Sequence, residues 1–260
     1  MIVLSVGMPR AGSGWHYNLI HDLMETTGCA DARDIRERYR LQKILTEVNC
    51  NIGVLSARRL GLVALPALVN TFVIKAHAAP SSASRLLSTL GLLRITYIYR
   101  DPRDAMLSAY DFGQRALVKG RPNAFSHLSD FEKSVDFMME YVHIWEKWMQ
   151  EKNVLVARYE DLLTNYEAES AKLVDYLKLN GSSSQVQAVI EKYRPDAAEG
   201  QQAALLQGQD QALPRILYRS AESGLKRQIK RIFSPYGVRR VRCNQPVSRL
   251  SCRLQRFSLS

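Results

Sequence analysis

Three short stretches put charged or proton-transferring side chains where a backbone turn would concentrate them. The first, VGMPRAGSGW over 6–15, follows the β-prone IVLSV and leads into the helix-like HYNLIHDLME. A strand, a glycine turn and a helix aim successive backbone N–H groups and the positive end of the helix dipole at one spot, so the chemistry this stretch suits is anion binding. Gly7 and Gly12 keep the G-x-x-x-x-G spacing of a nucleotide-phosphate loop, but Ser13 and Gly14 stand where lysine and a serine or threonine belong. Losing that charge and the magnesium-holding hydroxyl disfavours an ATP or GTP hydrolase. Arg10 offers a guanidinium able to bridge two oxygens of a phosphate or sulfate, and Trp15 an indole able to stack on a purine. The second stretch, FVIKAHAAP, puts Lys75 and His77 at the end of a strand-like run; the third, YIYRDPRDAMLSAY, puts Arg100 at another strand end with Ser108 eight residues on. Singly, each has a bland alternative: a glycine turn without a ligand, a structural histidine, and a solvated charged turn capping a helix.

The elements that must position these residues alternate in type. Strand-like runs at 2–6, 71–75, 94–99 and 153–159 are separated by helical patterns, which predicts an α/β fold with a central parallel sheet flanked by helices on both faces. SSASRLLSTLGLL begins on serine caps, and DPRDAMLSAYDF offers Asp101 as N-cap with Pro102 at the first helical position. Over 129–152, Phe131, Val135, Met138, Val142 and Trp145 form one apolar stripe, the pattern of a helix packed on a core. NGSSS reads as a turn before a last helix, QVQAVIEKY. In such sheets ligands bind beyond the carboxyl ends of the strands, where the Arg10 loop, Lys75 and Arg100 would converge.

Charge and composition narrow the classes. Of the formal net charge of +11, none lies in residues 1–214, which hold 24 basic and 24 acidic residues, whereas 215–260 hold 12 basic residues against Glu222 alone. We therefore expect one domain over 1–214 and a basic C-terminal tail over 215–260. No domain-wide nucleic-acid surface is expected, and the tail suits contact with an anionic lipid, polymer or partner. The run LGLVALPALV is too short for a membrane span and is broken by Pro66. Cys29, Cys50, Cys243 and Cys252 have neither disulfide-framework density nor metal-type spacing, and no basic-then-apolar leader opens the chain, so a reducing, cytoplasmic location is expected. His16 and His21, five apart, do not share a helix face as a four-residue spacing would, and no metal site is expected.

Taken together, the motifs resemble those of the sulfotransferases that use 3′-phosphoadenosine 5′-phosphosulfate (PAPS). Pro9-Arg10-Ala11-Gly12-Ser13-Gly14-Trp15 is similar to that family's 5′-phosphosulfate loop, Arg100 and Ser108 to its 3′-phosphate segment, Lys75-x-His77 to its Lys-x-His segment, and Tyr159-Glu160-Asp161 to its Tyr-Glu-Asp strand end. The four occur in the family's order and cover roughly residues 2–180. The resemblance implies a P-loop-like sulfotransferase fold, PAPS as sulfuryl donor without a metal, His77 as base, Lys75 and Arg10 assisting at the transferring group, and Tyr159 on the adenine. It further implies a small-molecule, carbohydrate or lipid acceptor, with the stretch 110–125, including Tyr110, Phe112 and Arg115, where acceptor-facing loops lie. The family's late Arg-Lys-Gly segment is missing, and Arg219, Gly224, Lys226 and Arg227 are imperfect substitutes. Two other readings stay open from the residues: a small-molecule kinase with a degenerate phosphate loop, and a non-catalytic adaptor with a basic docking tail.

Overall fold

A computed structural model describes residues 1–195. The tail expected over 215–260, its boundary at 214 and the substitutes at 219–227 lie outside the described residues. Five strands, β1 (Ile2–Gly7), β2 (Asn51–Ile52), β3 (Phe72–Ala76), β4 (Leu93–Tyr99) and β5 (Val154–Arg158), form one sheet in the order β2-β3-β1-β4-β5. Every pairing is parallel. The three central strands carry near-continuous apolar runs because helices cover both faces.

On one face α2 (Ala32–Arg38), α3 (Ala57–Ala67) and α4 (Ser82–Thr89) cover Leu4, Val6, Ile74 and Ile95. On the other, α1 (Ser13–Glu25), α8 (Tyr166–Leu177) and α9 (Ser184–Lys192) close over Val3 and Val73. A third cluster, Met8, Ala11, Ala105, Met106, Met138 and Val142, packs α5 (Pro102–Val118) and α6 (Phe131–Met149) beneath the first loop. The short α7 (Tyr159–Thr164) follows β5 directly.

Local chemistry sets these boundaries. Asp101 caps α5 by accepting from the Arg103 N–H at 2.9 Å, and Pro102 opens the helix, where its missing N–H costs nothing. Asp130 caps α6 through the Lys133 N–H, and Ser81 and Ser84 form a reciprocal capping box on α4. Strand β2 was not foreseen: two residues are too few for any periodicity to register.

Candidate active site

The site is assembled where β1, β3 and β4 end side by side. Gly12 is the N-cap of α1, in the left-handed region at φ 79°, and has no side chain with which to claim the first-turn N–H groups. A Cβ there would stand 2.5 Å from Tyr159 Cδ2. The N–H groups of Ser13, Gly14 and Trp15 thus open the helix without a side-chain cap and with no acidic residue in the first turn, which leaves them to an external acceptor.

Arg10 occupies a positive φ of 62°, unusual for a residue with a side chain. Its guanidinium is held on two sides: Nε donates to Ser108 Oγ at 3.1 Å, and the ring of Phe112 lies 4.4 Å from Cζ. Burial, then the charges of Arg100 and Arg115, lower its pKa to about 10, so it remains a cation at neutral pH. Lys75, on β3 and only 8% exposed, has its pKa lowered to about 8 by burial and then by Arg10. Arg100, at the end of β4, lies over the Tyr159 ring, with Cζ 4.8 Å from its centroid, and 4.0 Å from Asp104. Its Nε is buried without a hydrogen-bond partner among the described residues. Arg10, Lys75 and Arg100, gathered at neighbouring strand ends, define an electropositive crevice in which the charge of Arg100 acts on Arg10 and that of Arg10 on Lys75.

His77 follows β3 directly. Its Nδ1 is 2.6 Å from the Gly7 carbonyl, and because a carbonyl only accepts, Nδ1 carries the proton and Nε2 the lone pair. Burial and the Lys75 charge lower the ring's pKa to about 4, against the raising effect of the Gly7 bond, so the imidazole is neutral with a fixed tautomer at neutral pH.

Arg10, Ala11, Gly12, Ser13, Gly14, Lys75, His77, Arg100, Ser108 and Tyr159 thus gather at one edge of the sheet. Ser108 Oγ is engaged by Arg10. Trp15 departs from its expected place: it is 1% exposed, its Nε1–H donates to the Tyr193 carbonyl at 3.1 Å, and its ring stacks on Tyr166 with its edge toward Tyr159. An indole so enclosed braces Tyr159 from behind and presents no open face to a purine. Glu160 accepts from the Asp101 backbone N–H at 3.0 Å and ties the start of α5 to the start of α7.

Sequence reasoning missed a buried polar row beneath the crevice. Ser5 pairs in register with Lys75 on one side and Thr96 on the other, and His16 Nδ1 lies 3.3 Å from Ser5 Oγ. Burial, then Lys75, lowers the pKa of His16 to about 3. A serine in the middle of IVLSV was the available signal. His21 lies apart, with Asp22 and Glu25, the group among the described residues whose atoms are spaced like metal ligands. Asp22 Oδ2 there already accepts from Tyr193 Oη and Lys192 Nζ.

A family model described as a sulfotransferase domain matches residues 2–211, and the chain belongs to that family. Sulfotransferase 6B1 of Danio rerio is 29% identical over 102 residues, covering 37% of this chain and 34% of the relative. Sulfotransferase 2A6 of Mus musculus is 27% identical over 101 residues, covering 37% and 35%. These alignments span about a third of each relative's length. The crystal structure of retinol dehydratase in a complex with retinol and PAP shares the fold, with a TM-score of 0.50, 19% identity, and coverage of 92% of this chain and 82% of that one.

Proposed function

We propose that this chain transfers a sulfuryl group from PAPS to a hydroxyl or amine acceptor, with the transferase domain over 1–214 and the rest of the chain a basic extension. The observation that carries this reading is the convergence of an uncapped helix start, three cations and a neutral histidine of fixed tautomer on three adjacent strand ends. A nucleotide phosphorylated at two ribose positions needs two separate anion positions, and the Arg10 loop with Lys75, and Arg100 just past β4, would supply them. The partnerless Arg100 Nε and the unclaimed N–H groups of α1 fit such a ligand.

When bound, PAPS supplies an activated sulfuryl group whose S–O bond to the 5′-phosphate breaks as the acceptor oxygen attacks sulfur. The N–H groups of residues 13–15 and the cations of Arg10 and Lys75 carry the charge that collects on the departing phosphate. Each charge-assisted hydrogen bond contributes about 1.5–3 kcal/mol. His77 Nε2 takes the acceptor's proton while Nδ1–H stays on Gly7, which keeps the ring in one orientation through the step. Tyr159 and Arg100, stacked together, hold the nucleoside end. Phe112 and Arg115 stand on the acceptor side, and we assign the acceptor to the small-molecule, carbohydrate or lipid class. A cytoplasmic location belongs to the same proposal. Among the described residues no helix is long and apolar enough to cross a membrane.

Isothermal calorimetry with adenosine 3′,5′-bisphosphate tests the reading. Tight uptake without metal, weakened selectively against adenosine 5′-phosphate by Arg100→Ala, is expected. Stabilisation by ATP with magnesium and none by the bisphosphate would instead establish a kinase and defeat the proposal.

A further inference from the structure

Helices α3 and α4 lie side by side on the sheet, fastened through Leu60 and Val63 and through Ala83 and Leu87. Their outward stripes carry large aliphatic side chains among the exposed Arg58, Ser82, Arg85 and Thr89, where a solvent-facing stripe is ordinarily polar throughout. Along α3 and just past it, Leu62, Leu65, Leu68 and Val69 face out, and Leu86 and Leu90 do the same along α4. All but Leu62 are between 59 and 79% exposed. Six large aliphatic groups on two neighbouring helices form an apolar face of the kind that marks an interaction surface.

The charges on this face say what covers it. ARRLGLVALPA and SASRLLST contain Arg58, Arg59 and Arg85 and no acidic residue. Arg85 is bonded to Glu151 of the α6 end at 2.8 Å, and Arg58 is exposed at the start of α3. A second copy docking face to face would offer Arg58 and Arg59 no carboxylate from its own α3 or α4, Arg85 being already engaged by Glu151, and residues 215–260, with 12 basic residues against Glu222, would bring cations to cations. An anionic bilayer surface is attracted to the arginines and accepts the leucines at the level of its acyl chains. We infer that the α3–α4 face docks this protein on anionic membranes, independently of the chemistry at the strand ends. Two signals are needed for stable peripheral attachment, and the basic tail supplies a second one to the same surface.

The full chain should sediment with phosphatidylcholine vesicles containing phosphatidylserine and stay in solution with phosphatidylcholine alone. Leu65→Ser with Leu86→Ser, changes at exposed positions that leave thermal unfolding unaltered, should lower the partition coefficient at least about tenfold. Arg58→Gln should lower it about fivefold. In Leu65→Trp, the added indole's emission should shift to the blue on the phosphatidylserine vesicles only. Partitioning unchanged by the double substitution would mean that the tail alone binds and would overturn the proposal. So would equal uptake on neutral vesicles, or a dimer seen by sedimentation velocity that the double substitution dissolves without any vesicle binding.

Discussion

Replacing Gly12 by alanine isolates the contact on which the loop geometry depends. Two costs follow from the structure. The backbone at φ 79° is left-handed, which disfavours a residue with a Cβ by about 1–2 kcal/mol. The added methyl would also stand 2.5 Å from Tyr159 Cδ2 and 2.9 Å from Cε2, too close for carbon atoms. Tyr159 cannot easily retreat, because Trp15 lies against it on one side and Arg100 on another, so an overpacking cost of about 1–3 kcal/mol is added. The smaller unfolded-state entropy of alanine returns about 0.4–1 kcal/mol, leaving a net loss of about 1–4.5 kcal/mol. Gly28 supplies the control: its φ is 75°, yet a Cβ there meets nothing within 4 Å, so Gly28→Ala should show the backbone cost alone. Urea unfolding of both variants, with unchanged m-values, measures the difference. In a double-mutant cycle, Tyr159→Leu should recover at least about 1 kcal/mol of the Gly12→Ala loss and none of the Gly28→Ala loss. Equal losses for the two alanine variants would refute the steric reasoning.

Other outcomes follow from the same geometry. The folded-state pKa values of His16 and His77 lie below the ordinary value of 6.5, so their stabilising contribution is full above about pH 6.5 and is lost as pH falls toward about 3 for His16 and about 4 for His77. Urea titrations should find about 2 kcal/mol less stability from His16 at about pH 5, with His77 acting in the same direction and the raised pKa of His21 opposing both. A flat profile from neutral pH to about pH 5 would contradict the neutral burial of His16. His77→Ala should bind adenosine 3′,5′-bisphosphate as the parent does and lose at least about a hundredfold in turnover, and undiminished turnover would remove the ring from the mechanism. Arg10→Gln should weaken the bisphosphate, and it should also raise the pKa of Lys75 in a pH titration followed by amine labelling, because the Arg10 charge is one cause of its depression. An unmoved pKa would show the two groups to be uncoupled.

What the sequence made legible was local. The start of α5 followed from Asp101 and Pro102, and the four longer strands from their β-branched runs, because caps and alternation act within one turn or one pleat. The family resemblance brought the strand ends together in order, and the fold agrees. Trp15 was misread because an indole beside a glycine loop looks the same whether it faces a ligand or the core. Only the closure of α8 and α9 over α1, with the Tyr193 carbonyl meeting Nε1, decides between them. The row of Ser5, Lys75 and Thr96 was invisible for a related reason, since it exists only in the register of three parallel strands. The α3–α4 face escaped notice because in the sequence LGLVALPALV stands out only as a run too short for a membrane span, and the helix azimuth alone shows which of its leucines turn outward.

The proton affinity of Lys75 has a consequence for solution measurements. With its pKa lowered to about 8, a sizeable fraction of the amines is uncharged in a mildly alkaline buffer. Any anion that settles against the amine favours its charged form and draws a proton from the buffer. The apparent heat of association will then vary with the ionisation enthalpy of the buffer chosen. The slope of that variation counts the protons taken up, so calorimetry in two buffers becomes a direct gauge of whether a ligand has reached the buried amine.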